Sequence, residues 1–333
     1  MKKARKAWFL AAAVCIAVGL VLCTAAFVMV DGKIERLSTI PAYEQKTADY
    51  AADEVVSLTL LDRNTPVRLE TSADSRIHIT YYENRLDQYR LQVTAQGELR
   101  MEKVNNAKWT DRIGLNFNLQ DITLVVALPE GFAGGVRLET TNGPVTASDL
   151  QIYGDAQFKT TNHRMELNGV ECEGDLKAAT TNGPLILNEV QARSAQCEST
   201  NHTVEASRLD IAGAFAMTTT NGGIHLDQIT AGSLVAHSSN HTLQINRVTT
   251  AGSMEIKTTN GSIAIEQVLP GSALGLYSTN GSIHGTIADA MNQYGMESHT
   301  TNSTSNLPES MPGGPKTLSV KTTNGKIDLG FVG

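Results

Sequence analysis

Met254-Glu255-Ile256-Lys257-Thr258-Thr259-Asn260-Gly261-Ser262-Ile263-Ala264-Ile265 is one copy of a segment that recurs along the C-terminal part of this 333-residue chain. Its Thr-Thr-Asn centre, or a close variant, returns ten times, at Asn142, Asn162, Asn182, Asn201, Asn221, Asn240, Asn260, Asn280, Asn302 and Asn324. Successive gaps are 20, 20, 19, 20, 19, 20, 20, 22 and 22 residues. A nearly constant period of this length means one structural rung stacked on the next, which is a solenoid.

Counting from each asparagine, the apolar residues fall into columns. Three residues after it stand Val145, Met165, Leu185, Val204, Ile224, Leu243, Ile263, Ile283 and Ile327, interrupted by Ser305. The positions five and eight after it, and six and four before it, are apolar in most rungs as well. Within each short run the apolar residues are two apart, the period of a strand with one buried face. Each rung therefore reads as about three short strands separated by turns. Stacked in parallel, these make an all-β, single-chain β-helix whose rungs are about 4.8 Å apart.

The corner at the asparagine has its own chemistry. Six of the asparagines precede glycine, at Gly143, Gly183, Gly222, Gly261, Gly281 and Gly325. That pair adopts positive φ most readily, so a left-handed turn is expected there. In three rungs the follower is His163, His202 or His241, a residue type also enriched in left-handed conformations. Stacked asparagines can bond amide to amide along the axis, so all ten are read as a structural ladder with inward-turned side chains.

Before the repeat, Lys2, Lys3, Arg5 and Lys6 precede an uncharged apolar stretch over residues 7–30, long enough to cross a bilayer. The expected organisation is a cytoplasmic tail at 1–6 and a transmembrane anchor (or uncleaved signal) at 7–30. A juxtamembrane linker follows at 31–50, a β-rich lead-in or cap at 51–132, and the β-helix of about ten rungs at 133–333. The basic flank places the N-terminus in the cytoplasm and the remainder outside. A cleaved signal peptide is the alternative. Strands are expected at 55–61, 77–82, 89–95 and 122–128, either as irregular first rungs or as a small separate domain. A Ser-, Asn-, Pro- and Gly-rich loop is expected at 303–316.

Outside the four basic residues of the tail, 23 basic residues face 34 acidic ones, a balance of −11 that disfavours nucleic acid as a partner. Cys15 and Cys23 lie in the apolar span; Cys172 and Cys197 fall in different columns of the repeat and read as small buried hydrophobes. His163, His202 and His241 lie two rungs apart, about 10 Å, too far to share one zinc. Glu166 and Glu205 share an outward column at a similar distance, with Ile186 between them, at or beyond the spacing of an inverting carboxylate pair. No metal, cofactor or catalytic set is expected. Five asparagines sit in Asn-x-Ser/Thr sequons (Asn201, Asn240, Asn260, Asn280, Asn302), which the repeat itself generates. Thr181, Thr200, Thr220, Ser239, Thr259 and Thr279, each just before its asparagine, form a possible hydroxyl stripe if they point outward. The bland reading is that threonine simply favours strands.

The apolar anchor, the lead-in ending in Leu128-Pro129-Glu130-Gly131, and rungs such as Ile256-Lys257-Thr258-Thr259-Asn260-Gly261-Ser262-Ile263 resemble the DUF4097 adhesin-type β-strand repeat family, over about residues 50–330. The resemblance implies a right-handed parallel β-helix at the bacterial cell envelope and supplies no catalytic residues. The Asn-His alternation and the broken rung at Ser305 depart from the family pattern. The expected function is a non-enzymatic, membrane-anchored extracellular binding or sensing protein whose partner is an envelope glycan or protein. The alternatives are a polysaccharide-acting enzyme and a purely structural spacer.

Overall fold

A computed structural model describes residues 2–333; Met1 and the side chains of Lys2, Lys3, Ala4, Arg5, Ala7, Glu35 and Arg112 lie outside the described residues. The chain divides into two compact units, one of residues up to 45 with 82–88 and 104–122, the other of 46–81, 89–103 and 123–333. An α-helix, Lys2–Met29, opens the chain, and its Trp8–Met29 portion is apolar and long enough to be a candidate membrane span.

The second unit is a β-solenoid built on the period of 20. Parallel pairing joins equivalent residues of successive rungs: Met165 lies against Val145 on one side and Leu185 on the other, and Leu176 lies between Ala156 and Ala195. The inward columns fill one continuous core, with Met165, Leu185, Val204, Ile224, Leu243 and Ile263 all fully buried. Each such side chain withdrawn from water contributes about 1.5–3 kcal/mol before entropic costs. The repetition makes those contributions nearest-neighbour terms that add along the stack. Cys172 and Cys197 are buried free thiols in this core, and burial pushes the Cys197 thiol up to about 12.

Two expectations about the backbone require correction. The left-handed residues are not at the Asn-Gly or Asn-His corner. Those that recur rung by rung are Asp149, Glu189, Arg208, Gln228, Arg247 and Gln267, with Gly169 in the same column, each seven residues after its asparagine. Glycine follows the asparagine for a steric reason instead. A Cβ on Gly222 would lie 1.9 Å from the carbonyl oxygen of His202 in the neighbouring rung. In the glycine rungs the carbonyl of the neighbouring rung comes too close for a side chain at that point, and Gly183 and Gly261 meet the same carbonyl contact.

Chain order and stack order differ at both ends. The strand Ser57–Leu61 pairs in parallel with Gly135–Glu139 on one side and Glu98–Asn105 on the other. Val67–Thr71 likewise lies between Val145–Ile152 and Leu124–Leu128. The lead-in thus includes rungs of the solenoid, and the segment 57–71 is enclosed by chain that follows it. Glu44–Ala51 is also a strand, so the last part of the expected 31–50 linker belongs to a sheet. At the other end, Lys316–Thr322 lies between Ala273–Tyr277 and Tyr294–Thr300. The stack therefore runs through Asn280, then Asn324, then Asn302. The expected 303–316 loop is partly structured: Ser305 bridges Ile327, and Ser310–Met311 pairs antiparallel with Met296 and Glu297. At the first end Arg76–Glu83 pairs antiparallel with Leu124–Leu128. These antiparallel segments occupy hydrogen-bonding edges that would otherwise invite another chain.

Candidate functional site: the asparagine corner and its threonine groove

The asparagine ladder forms, but on the outside. Each side-chain Nδ2 donates to Oδ1 of the asparagine one rung along, through Asn142, Asn162, Asn182, Asn201, Asn221, Asn240, Asn260, Asn280 and Asn324 to Asn302, at 2.6–2.8 Å. Asn142 extends it by donating to Asn64 of the lead-in at 2.6 Å, so eleven asparagines share the ladder. All are exposed, which overturns the inward orientation expected from the sequence. An amide carries two N–H groups and two acceptor lone pairs. The ladder uses one donor and one acceptor at each internal position and leaves the others to solvent or a ligand. For the five sequon asparagines the relevant fact is accordingly that their amides are engaged in the ladder, not that they are buried.

The inward polar column lies two residues earlier, and the sequence reading missed it. Thr140, Thr160, Thr180, Ser199, Thr219, Ser238, Thr258 and Ser278 are buried at the corner. Thr219 Oγ1 donates to the carbonyl of His202 at 3.3 Å and accepts from the Gly222 backbone N–H at 3.1 Å. Thr180, Thr258 and Ser278 make the same two bonds. One hydroxyl thus ties its own turn and the neighbouring rung, satisfying backbone groups that would be costly to leave unpaired.

Because the ladder is exposed, its loss should be mild. Asn221→Ala removes bonds to Asn201 and Asn240 that compete with water. The expected loss of unfolding free energy is about 0.5–1.5 kcal/mol. Chemical denaturation measures it directly, and a loss well above that range would mean the ladder holds the corner more strongly than its exposure implies.

The residues of the possible stripe lie beside the ladder. Thr200, Thr220, Thr259 and Thr279 are exposed and Thr181 and Ser239 are half-buried, so all six reach the surface. Thr181, Thr200 and Thr220 line a shallow groove of about 570 Å³ with Gln157, Lys159, Lys177, Gln196, Glu198 and Thr218. Its exposed walls are hydroxyls, amides and a few charges of both signs. Backbone hydrogen bonds fix the repeat, with Asn182 N–H donating to the Thr161 carbonyl and Asn221 N–H to the Thr200 carbonyl.

Elsewhere several titratable groups are paired with one another. Glu166 is paired with Arg164 at 2.8 Å, and Ile186 lies between Glu166 and Glu205 in the stack. Among the described residues no group of three or more His, Cys, Asp or Glu is placed to hold a metal ion. The carboxylates of Asp49 and Asp74 accept from His78, at Nδ1 (2.6 Å) and Nε2 (2.8 Å) respectively. Those carboxylate hydrogen bonds, Asp49's above all, raise the imidazole pKa above its ordinary value. His163, His202 and His241 remain at separate corners and are not among the left-handed residues, so backbone conformation does not explain their choice.

This geometry defines a class: a parallel β-solenoid with an exposed amide ladder and a polar groove along one corner. The chain belongs to the Toastrack DUF4097 family, whose model matches residues 55–330. Among solved structures, the chain is similar to a candidate lipid-binding protein from Parabacteroides distasonis, at 11% identity and a TM-score of 0.44, covering 71% of this chain and 97% of that one. It is also similar to a candidate adhesin from Parabacteroides merdae, at 12% identity and a TM-score of 0.42, covering 86% and 96%. A third likeness is to a candidate adhesin from Bacteroides fragilis, at 14% identity and a TM-score of 0.38, covering 87% and 98%. No curated protein matches the chain.

Proposed function

We propose that this is a non-enzymatic envelope protein, held in the membrane by its N-terminal helix, whose solenoid binds an extended polar polymer along the threonine groove. The carrying observation is the regular exposure of Thr200, Thr220, Thr259 and Thr279 beside an amide ladder that retains free donor and acceptor capacity. Their spacing of about 4.8 Å per rung offers the same hydrogen-bonding set repeatedly along a line. A linear glycan, with hydroxyls repeated along its length, matches such a surface. The balance of −11 and the mixed charges of the groove support a neutral or weakly charged polymer over a polyanion.

A binding role is favoured over catalysis because Glu166 and Glu205, the acids that share an outward column, are separated by Ile186. Glu166 is held by Arg164 and Asn168, and a carboxylate in that setting is poorly placed to exchange a proton with a substrate. For topology, a helix whose apolar window is wholly unburied supports a membrane location, and its basic flank supports a cytoplasmic N-terminus.

Thr200→Glu with Thr220→Glu tests the groove. Both side chains are exposed, so the variant should unfold at the wild-type denaturant midpoint. Its affinity for purified envelope glycan should fall about tenfold or more, equivalent to about 1.4 kcal/mol. Unchanged affinity in the folded variant eliminates the groove as the contact surface, and shortening of the glycan by the wild-type protein would favour the enzyme reading.

A further inference from the structure

The most conspicuous apolar surface beyond the N-terminal helix lies in the first compact unit. Trp109, Ile113, Leu115 and Leu119 are 75%, 64%, 58% and 66% exposed, within eleven consecutive residues. Large apolar side chains left exposed so close together along the chain mark an interaction site. Their backbone is held in place. The short 3₁₀ turn Trp109–Arg112 is fastened by Asp111, which accepts from the Lys108 backbone N–H and pairs with Arg85 at 2.9 Å. The following stretch is tied to the chain that leaves the helix: Thr39 N–H donates to the Leu115 carbonyl at 2.8 Å, and Ser38 Oγ donates to the Phe117 carbonyl at 2.6 Å.

That attachment fixes how far the apolar side chains can be from a membrane. Only residues 30–38 separate the helix end at Met29 from Thr39. The first of these are folded back, with Asp31, Gly32 and Lys33 donating to the carbonyls of Val28, Phe27 and Val30, and Ile34–Leu37 form a 3₁₀ turn. With those rises the segment reaches on the order of 25 Å, so residues 109–119 remain within reach of the polar boundary that flanks the hydrocarbon.

We infer that residues 109–119 form a second membrane contact, with Trp109, Ile113, Leu115 and Leu119 entering the interfacial layer of the bilayer spanned by Trp8–Met29. The occupant is the lipid surface and not a protein, because covalent continuity with the span keeps the loop beside lipid whatever else is present. Tryptophan is the side chain best suited to that layer, its ring apolar and its N–H able to stay hydrated. The inference rests on the membrane-anchor reading above. Its consequence is that the protein is held at two points, which restricts the unit next to the membrane from swivelling freely about the helix.

Trp8 and Trp109 are the only tryptophans, so each can be followed alone. The full chain is reconstituted in phosphatidylcholine vesicles whose acyl chains carry bromine either near the headgroup or near the methyl end. In Trp8→Phe, Trp109 emission should shift to the blue and be quenched more by the shallow bromines than by the deep ones. Adding Ile113→Asp and Leu119→Asp should restore the unquenched emission. In Trp109→Phe, quenching of Trp8 reports the anchor independently. Quenched Trp8 with unquenched, red-emitting Trp109 overturns the second contact and leaves the anchor standing; failure of both to be quenched overturns the anchor and the contact together.

Discussion

Gly222→Ala is expected to destabilise the solenoid by about 3 kcal/mol or more, at the upper end of what an added methyl costs in a packed site. The new Cβ would sit 1.9 Å from the His202 carbonyl oxygen and 2.2 Å from its carbon. Both are backbone atoms, so no flexible side chain can swing away. Relief requires neighbouring rungs to separate at the corner, which would stretch the Asn221–Asn201 bond and the bond between Thr219 and the His202 carbonyl. Guanidinium unfolding of the variant against wild type reads the loss. The backbone at Gly222 is not left-handed, so the penalty is one of contact and not of torsion. A change below about 1 kcal/mol would show that the rungs are less tightly stacked than these distances require.

Thr219→Val should cost nearly as much without adding any bulk. Valine matches threonine in shape, and the site is 2% exposed, so packing is preserved. What disappears is the hydroxyl that serves the His202 carbonyl and the Gly222 N–H together. Each of the two buried partners left unsatisfied costs about 1–3 kcal/mol, so a total of about 2–6 kcal/mol is expected. Thr219→Ser, which keeps the hydroxyl, should recover most of that loss. If valine and serine behave alike, the bonds at this corner contribute little and side-chain volume dominates. The contrast with Asn221→Ala, two residues away, separates an interior polar column from a surface ladder.

The solenoid itself was legible because its signal is repeated: Met165, Leu185, Val204, Ile224 and Leu243 mark one column at a nearly constant interval. The ladder was also legible as a row of equivalent asparagines, but its direction was not. Apolar positions six and four before the asparagine extend by simple alternation to the threonine two before it, which is the buried one. Alternation then ends at the corner, so carrying it on to the asparagine gives the wrong face. The left-handed residue was hidden for a related reason. Asp149, Glu189, Arg208 and Gln228 share no side-chain type, since the neighbouring rungs impose the conformation and composition does not advertise it.

The ends were harder because stacking is not chain order there. One clue was present in Asn64-Thr65-Pro66-Val67, which parallels Asn142-Gly143-Pro144-Val145; Val67 and Leu69 do lie against Val145 and Ala147. At that corner Asp62 substitutes for the buried threonine, its Oδ1 accepting from the backbone N–H groups of Arg63, Asn64 and Thr65. At the other end the spacing lengthened to 22 residues at Asn302 and Asn324 without saying which rung lies outermost. Only the pairing resolves it, helped by Lys316, which donates to the Pro270 carbonyl and pairs with Asp289 at 2.8 Å. The groove was legible only as a list of threonines. That Thr181, Thr200 and Thr220 share it with Gln157, Lys177 and Gln196 follows from the register, which sets side chains about 20 residues apart next to each other.

Recognition of an extended polymer along a repeating corner is most directly tested with a ladder of envelope-glycan fragments of increasing length, titrated against the full chain in nanodiscs, with empty nanodiscs as the control. A surface repeated at every rung predicts that affinity rises with fragment length until the exposed stripe is spanned and then levels off, with every fragment recovered intact. Affinity independent of length, or no binding by the longest fragments, would contradict recognition along the stripe.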